Sequence, residues 1–344
     1  SRVGVATIDG NMPGEDRHSV RELGRGLLAA VVLDGHGGWQ VAEWLSRALL
    51  PTLARCLEAP TPGGEEGAED LRSVLDALEA AFADCEAALL RQVEASPSPS
   101  GLVRALRIGA CALCAVVGPS HLAVANAGDC QALLVRAGEP MRLSAVHNAD
   151  QPEEQRRLRE AHPGERDVFV CRGGAGNALG GIQGLAQKAF GVQQDMRLTA
   201  CYVKGRLQPT RSFGDFYLKD KRFAEMGLIH PPTSPPYITA APEIAVLPRE
   251  PEDQVLVLAS DGLWDYLSGL DVARIAREFL PPGRTEALQN EGETARALAE
   301  ALINEAVRTA AQEFSLAEED VRKVPPGPQR RRLHDDITVV VVLL

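Results

Sequence analysis

The stretch AAVVLDGHGG, Ala29 to Gly38, carries five apolar residues into Asp34 and then breaks into Gly35, His36, Gly37 and Gly38. A run that stays apolar and stops in a carboxylate and glycines reads as a buried strand ending at a polar edge. A carboxylate at such an edge can bridge two hard cations, and the glycine beside it leaves its own carbonyl free to approach the same point. His36 then stands beside the metals. Asp-Gly is also a common turn, so this stretch alone equally fits a solvated turn.

Two later stretches repeat the design. QVLVLASDGLWD, Gln254 to Asp265, breaks an apolar run at Asp261 and places Asp265 one helical turn further on, and LHDDITVVVVLL, Leu333 to Leu344, sets Asp335 and Asp336 ahead of a very apolar run. GNMPGEDRHSV contributes Glu15 and Asp16, and ANAGDCQALL contributes Asp129 between two strand-like segments. Each alone is compatible with an ordinary turn or cap. Together, carboxylates at so many strand ends favour a polynuclear site with oxygen ligands.

The words EDR, LDGHGG, NAGD, RSFGD, ASDGLWD and DDITVVVV, in that order across nearly the whole chain, resemble the metal-dependent serine/threonine protein phosphatases of type 2C. The resemblance implies an α+β fold, an αββα sandwich of two mainly antiparallel sheets flanked by helix pairs. It implies two Mg2+ or Mn2+ ions bridged by Asp34, with Asp261 and Asp335 completing one shell and Glu15 and the Gly35 carbonyl serving the other. Asp129 matches the position that, with the Asp261 equivalent, holds a weaker third ion, and Asp16 would act through water. The segments NMPGEDR and LSAVHNADQPEEQRRLREAHP also resemble the pyruvate dehydrogenase phosphatase branch. One departure stands out: where the family often has a phosphate-clamping arginine four residues before Glu15, this chain has Asn11. A neutral amide cannot make the bidentate charge-assisted contact of a guanidinium, so Asn11, helped by Arg17, is the expected phosphate contact.

If two divalent ions sit at these carboxylates, water between them becomes a nucleophile for in-line attack on phosphorus. His36 is then the expected general acid for the departing Ser or Thr oxygen, because imidazole titrates near neutrality. His334, next to Asp335, reads as a supporting or surface group. Arg211 and Asp215, in TRSFGD, read as a structural ion pair. The spacing C-x5-R occurs from Cys85 to Arg91 and from Cys130 to Arg136. Both enclose apolar helix or strand residues, so neither is the Gly-rich cradle a cysteine phosphatase needs. Two other readings stay open: a phosphatase-like binding or regulatory protein that is inactive or weakly active, and a hydrolase of small phosphate esters.

The chain has 344 residues, 45% hydrophobic, enough for a large core. A formal net charge of −11 argues against general nucleic-acid binding. RRRL, Arg330 to Leu333, is the one dense basic run and reads as a solvated approach to the last strand. No apolar run approaches the roughly 20 residues a membrane helix needs. Seven cysteines without a secretory leader suggest a reducing compartment, so an intracellular protein is expected, cytoplasmic or nuclear. A mitochondrial location would follow if a transit peptide precedes the given sequence. Cys111 and Cys114 lie three apart in a strand pattern and should face opposite sides, unsuited to zinc. Phosphorylated proteins are the expected partners of a monomer.

Along the chain, a single catalytic domain over residues 1–344 is expected. Its flexible flap falls at about 171–197, Gly-rich around GGAGNALGG, and its loop inserts at about 60–68 and 229–242. Helices are expected after the glycines, with Pro51 ending or restarting the first, then from Leu71, Pro152, Leu270 and Thr294. IGACALCAVVG, HLAVANAGD and CQALLVR suggest an antiparallel meander.

Overall fold

A computed structural model describes residues 2–58, 71–173, 199–280 and 290–344. The expected insert at about 60–68, most of the flap and GGAGNALGG beyond Gly173 lie outside the described residues. In chain order the first strands are β1 (Val3–Ile8), β2 (Arg17–Gly24) and β3 (Leu27–His36). Helices α1 (Gln40–Glu58), α2 (Leu71–Glu94) and α3 (Pro99–Ala105) come next. Strands β4 (Gly109–Val117), β5 (His121–Ala127), β6 (Gln131–Arg136) and β7 (Glu139–Arg142) precede α4 (Pro152–Ala161). Then come β8 (Phe169–Gly173), β9 (Thr199–Val203), β10 (Phe213–Gly214), β11 (Glu243–Pro248) and β12 (Asp253–Ala259). The described chain closes with α5 (Asp261–Trp264), α6 (Gly269–Phe279), α7 (Glu291–Glu313), α8 (Glu318–Lys323) and β13 (Ile337–Leu343). Residues 229–242 hold no helix or strand, as their prolines dictate.

The chain divides into two compact units. The first, residues 1–146, 211–216 and 240–344, holds two antiparallel sheets, one ordered β1-β13-β12-β6-β7 and the other β11-β5-β4-β3-β2, with β10 paired to β4. Period-two alternation builds its layers. From β13, Val340 and Val342 point into the core between the sheets with Leu256 and Leu258 of β12 and Val32 and Leu113 of the other sheet. The opposite face of β13, including Ile337, Val339 and Val341, packs with Val272, Ile275, Leu298 and Leu302 from α6 and α7. On the other outer face, α1 and α2 pack against each other and against β3 and β5. This is the αββα sandwich.

Two local expectations are corrected. Pro51 sits inside an uninterrupted α1, because Leu49, Leu50 and Leu53 are buried on both sides of it and hold the turn together. The strand run from Ile108 is no meander: β4 pairs with β5, but β6 pairs with β12 and β7 in the other sheet. Gly128, at φ 132°, lets the chain cross over. After α2, Ser98 Oγ accepts from Gly101 N at 3.1 Å and caps α3. Cys111 faces the core between the sheets, as the pattern required, and both Cys111 and Cys114 are buried thiols.

The second unit comprises residues 147–210 and 217–239. Its β8–β9 hairpin sets Cys171 opposite Cys201, and these two form a disulfide. Lys204 is buried between Asp167 at 2.9 Å, Glu165 at 3.3 Å and the Pro232 carbonyl at 3.0 Å. The charge-rich α4 is not wholly a surface helix: Glu154 is buried and accepts from Thr210 Oγ1 at 2.6 Å and Arg157 Nε at 2.9 Å.

Candidate metal centre

Asp34 stands near the end of β3, Asp129 in the turn before β6, and Asp261 at the start of α5. Carboxylate oxygens from these three lie within 4.8 Å of one another. Charges so close repel, and burial adds to the cost of ionising them. Asp34 is pushed well above the usual carboxylate range by burial, then by Asp261, Asp16 and Asp129. Asp261 is pushed up likewise, by burial and then by Asp129, Asp265 and Asp335. A set of anionic oxygens that raise one another's proton affinity is a set that a hard divalent cation relieves, so the residues fit Mg2+ or Mn2+. Gly35 belongs to the same surface, for a Cβ there would stand 2.6 Å from the Glu15 carbonyl oxygen.

Asp16 accepts from Ser260 Oγ at 2.7 Å and is pushed up to about 7 by burial, against the pull of that bond. Glu15 is also raised, mainly by burial, with Arg331 opposing. Asp335 turns elsewhere: its Oδ1 accepts from Asn11 Nδ2 at 3.1 Å and from the Asp336 amide at 2.9 Å, and its Oδ2 meets Arg331 Nη2 at 3.3 Å. Among the described residues, neither Glu15 nor Asp335 joins the three-carboxylate cluster. His334 is buried, with Nδ1 2.7 Å from the Asp335 carbonyl oxygen, and burial lowers its pKa.

Arg17, expected near the phosphate, is committed to other groups. Its Nε donates to Glu43 at 2.5 Å, and its Nη1 donates to the carbonyls of Asp16 at 2.7 Å and Gly14 at 2.9 Å. Three acceptors on one guanidinium make it a brace for the Glu15–Asp16 loop. RRRL also differs from a solvated run: Arg330 is buried and donates to the carbonyls of Val324 and Arg322, each at 2.6 Å.

Sequence reasoning missed two roles. Asp215, read as half of a structural ion pair, accepts at Oδ2 from His36 Nε2 at 2.6 Å and from Ser212 Oγ at 2.8 Å. Arg211 faces Glu243 at 3.7 Å. Burial works to lower the His36 pKa, but the charge and hydrogen bond of Asp215, with Asp129 and Glu15, outweigh it and raise it. Gly109 makes the pairing possible: it lies opposite His36 in the β3–β4 register, and a Cβ there would overlap both Asp215 Oδ2 and His36 Nε2. Asp336 is the second. It accepts the backbone N–H groups of Gly10 and Glu15 at 2.6 Å and of Asn11 at 2.7 Å. The adjacent words TRSFGD and HDD marked both residues, but nothing in them names partners so distant in sequence.

A cleft of about 480 Å³ adjoins the loop, with Asn11, Glu15 and Trp39 in its wall.

The protein phosphatase 2C family model matches residues 26–314. A probable protein phosphatase 2C 36 of Oryza sativa subsp. japonica is 30% identical over 356 residues, 99% of this chain and 78% of that protein. A probable protein phosphatase 2C 68 of Arabidopsis thaliana is 28% identical over 355 residues, 99% of this chain and 77% of its own. The crystal structure of a serine-threonine phosphatase 2C from Toxoplasma gondii shares the fold at TM-score 0.61 and 21% identity, over 99% of this chain and 94% of that one. A matched family model spanning most of the sandwich, on a chain whose strand ends gather three carboxylates, decides the assignment: this chain belongs to the protein phosphatase 2C family, the metal-dependent protein serine/threonine phosphatases.

Proposed function

We propose that the chain hydrolyses phosphoserine and phosphothreonine esters of proteins, with Asp34, Asp261, Asp335, Glu15 and the Gly35 carbonyl holding two Mg2+ or Mn2+ ions. Asp129 serves a weaker third ion with Asp261, and Asp16 acts through water. The observation that carries this is the convergence of Asp34, Asp129 and Asp261, with His36 two residues beyond Asp34 on the same strand. Bound there, the ions supply positive charge against the phosphoryl oxygens and lower the pKa of water.

The chain's own groups do the rest. His36 is about a fifth exposed, so a leaving oxygen can reach it while its ring stays fixed. The Asp215 carboxylate accepts from Nε2, which leaves Nδ1 as the nitrogen whose proton is transferable in the protonated ring. Asp215 thus orients the ring and favours its protonated form, the general-acid form needed by a departing alkoxide. Asn11 is assigned to the phosphate end of the site, a reading supported by its contact with Asp335.

The test is phosphate release from a phosphothreonine peptide as Mn2+ or Mg2+ is titrated. Turnover should require the metal, and Asp261→Ala should lower it by roughly a hundredfold or more. Metal-independent turnover, or none from folded protein, would sink the reading.

A further inference from the structure

The cleft beside the site is basic in a chain of net charge −11. Arg331, Arg332 and Arg104 line it, with Glu15 the one carboxylate among its lining residues. Arg104 and Arg332 are exposed and make no ion pair with any described residue. Arg331 is tied, but loosely. Its Nη1 lies 3.2 Å from Asn11 Oδ1 and 3.6 Å from Glu15 Oε2, and its Nη2 lies 3.3 Å from Asp335 Oδ2. Charge-assisted bonds run near 2.7–2.9 Å, so none of these contacts is tight. Its side chain is half exposed.

Resting on the function proposed above, we propose that Arg331, from the turn before β13, is the guanidinium that receives the substrate phosphoryl group. Asn11 stands where the resembled family carries its phosphate arginine, and its Oδ1 accepts from Arg331. The amide thereby positions a guanidinium arriving from a segment 320 residues away. Arg17 is the weaker candidate, since its three acceptors lie at 2.5, 2.7 and 2.9 Å and hold it more tightly than those of Arg331. Glu15 and Asp335, which compete for Arg331, are groups that ions would neutralise, leaving the planar fork for the two outer oxygens of a phosphoryl dianion. Arg104 and Arg332 raise the local positive potential and favour an anionic substrate in an otherwise acidic protein.

The experiment compares wild type, Arg331→Gln and Arg331→Lys in Mn2+, reading KM and kcat for a phosphothreonine peptide, the Ki of inorganic phosphate, and the Mn2+ concentration for half-activation. Arg331→Gln should raise both KM and the phosphate Ki roughly ten- to hundredfold, as loss of bonds to a charged group does. The Mn2+ requirement should stay where it was. Lysine should recover only part, because a point charge cannot bind bidentately. KM and Ki within twofold of wild type, or a change confined to the Mn2+ requirement, would make Arg331 a brace for Glu15 and Asp335 and overturn the inference. Absence of turnover in wild type would count against the proposed function instead. Calorimetric titration with the phosphopeptide then decides: affinity lost in Arg331→Gln supports the inference, and equal affinity, or none in wild type, overturns it.

Discussion

His36 is paired with a carboxylate 179 residues away. Removing the Asp215 charge while keeping its shape, in Asp215→Asn, leaves burial as the largest influence on the imidazole and lowers its pKa. A general acid works protonated, so under the role proposed for His36 the alkaline limb of the kcat–pH profile should move to lower pH, and kcat at neutral pH should fall roughly tenfold or more. A profile superimposable on wild type would show that Asp215 does not govern the imidazole. At this scale the carboxylates were the most legible residues, because Asp34 and Asp261 each interrupt an apolar run at a strand end. Asp215 was not, since a pair closed across β3 and the segment after β10 leaves no periodic trace in either sequence. Arg331 was hidden for another reason: a run of arginines reads as solvent-facing until their acceptors are known.

The loop from Gly10 to Glu15 has no helix or strand to shape it, and one carboxylate takes that part. Asp336 collects three of its N–H groups, fixing where Glu15 leaves the loop. Asp336→Ala leaves those donors short of a partner, at about 1–3 kcal/mol each where water cannot replace it. The variant should need several-fold more Mn2+ for half-activation and melt roughly 5 °C lower in calorimetry. Unchanged values for both would show that the loop holds itself. Elements were read well where an apolar run was long, as in β12 and β13, and at α2, whose apolar residues recur every three or four positions. They were misread where tertiary packing overrode local rules: Leu49, Leu50 and Leu53 carry α1 through Pro51. The sheet to which β6 belongs is set by β12, more than a hundred residues later, so no reading of neighbouring strands could assign it.

Across the whole molecule, the site stores electrostatic cost in the absence of its ions. Folded Asp16 keeps its proton to about 7, whereas the unfolded side chain loses it near 3.8, and Asp34 and Asp261 are shifted the same way. The folded state therefore binds more protons than the unfolded one between these values. The contribution to stability is full below 3.8 and is lost as pH rises through about 7. Metal-free protein should melt lower at pH 8 than at pH 6, by about 5 °C, and saturating Mn2+ should remove most of that difference. Scanning calorimetry with and without chelator measures both, and a midpoint indifferent to pH and to Mn2+ would contradict the stored repulsion.

The position of β13 has a consequence in time. Its residues 337–343 lie between β1, the first strand, and β12, and pair with both. While the chain is being made, β1 waits through the synthesis of the other described elements with its hydrogen-bonding edge unmatched. Asp335 and Asp336, immediately ahead of β13, are missing for almost as long. Closing so long a loop is slow for topological reasons, so the phosphatase can acquire neither its completed sheet nor its anchored Glu15 loop until that strand is in place.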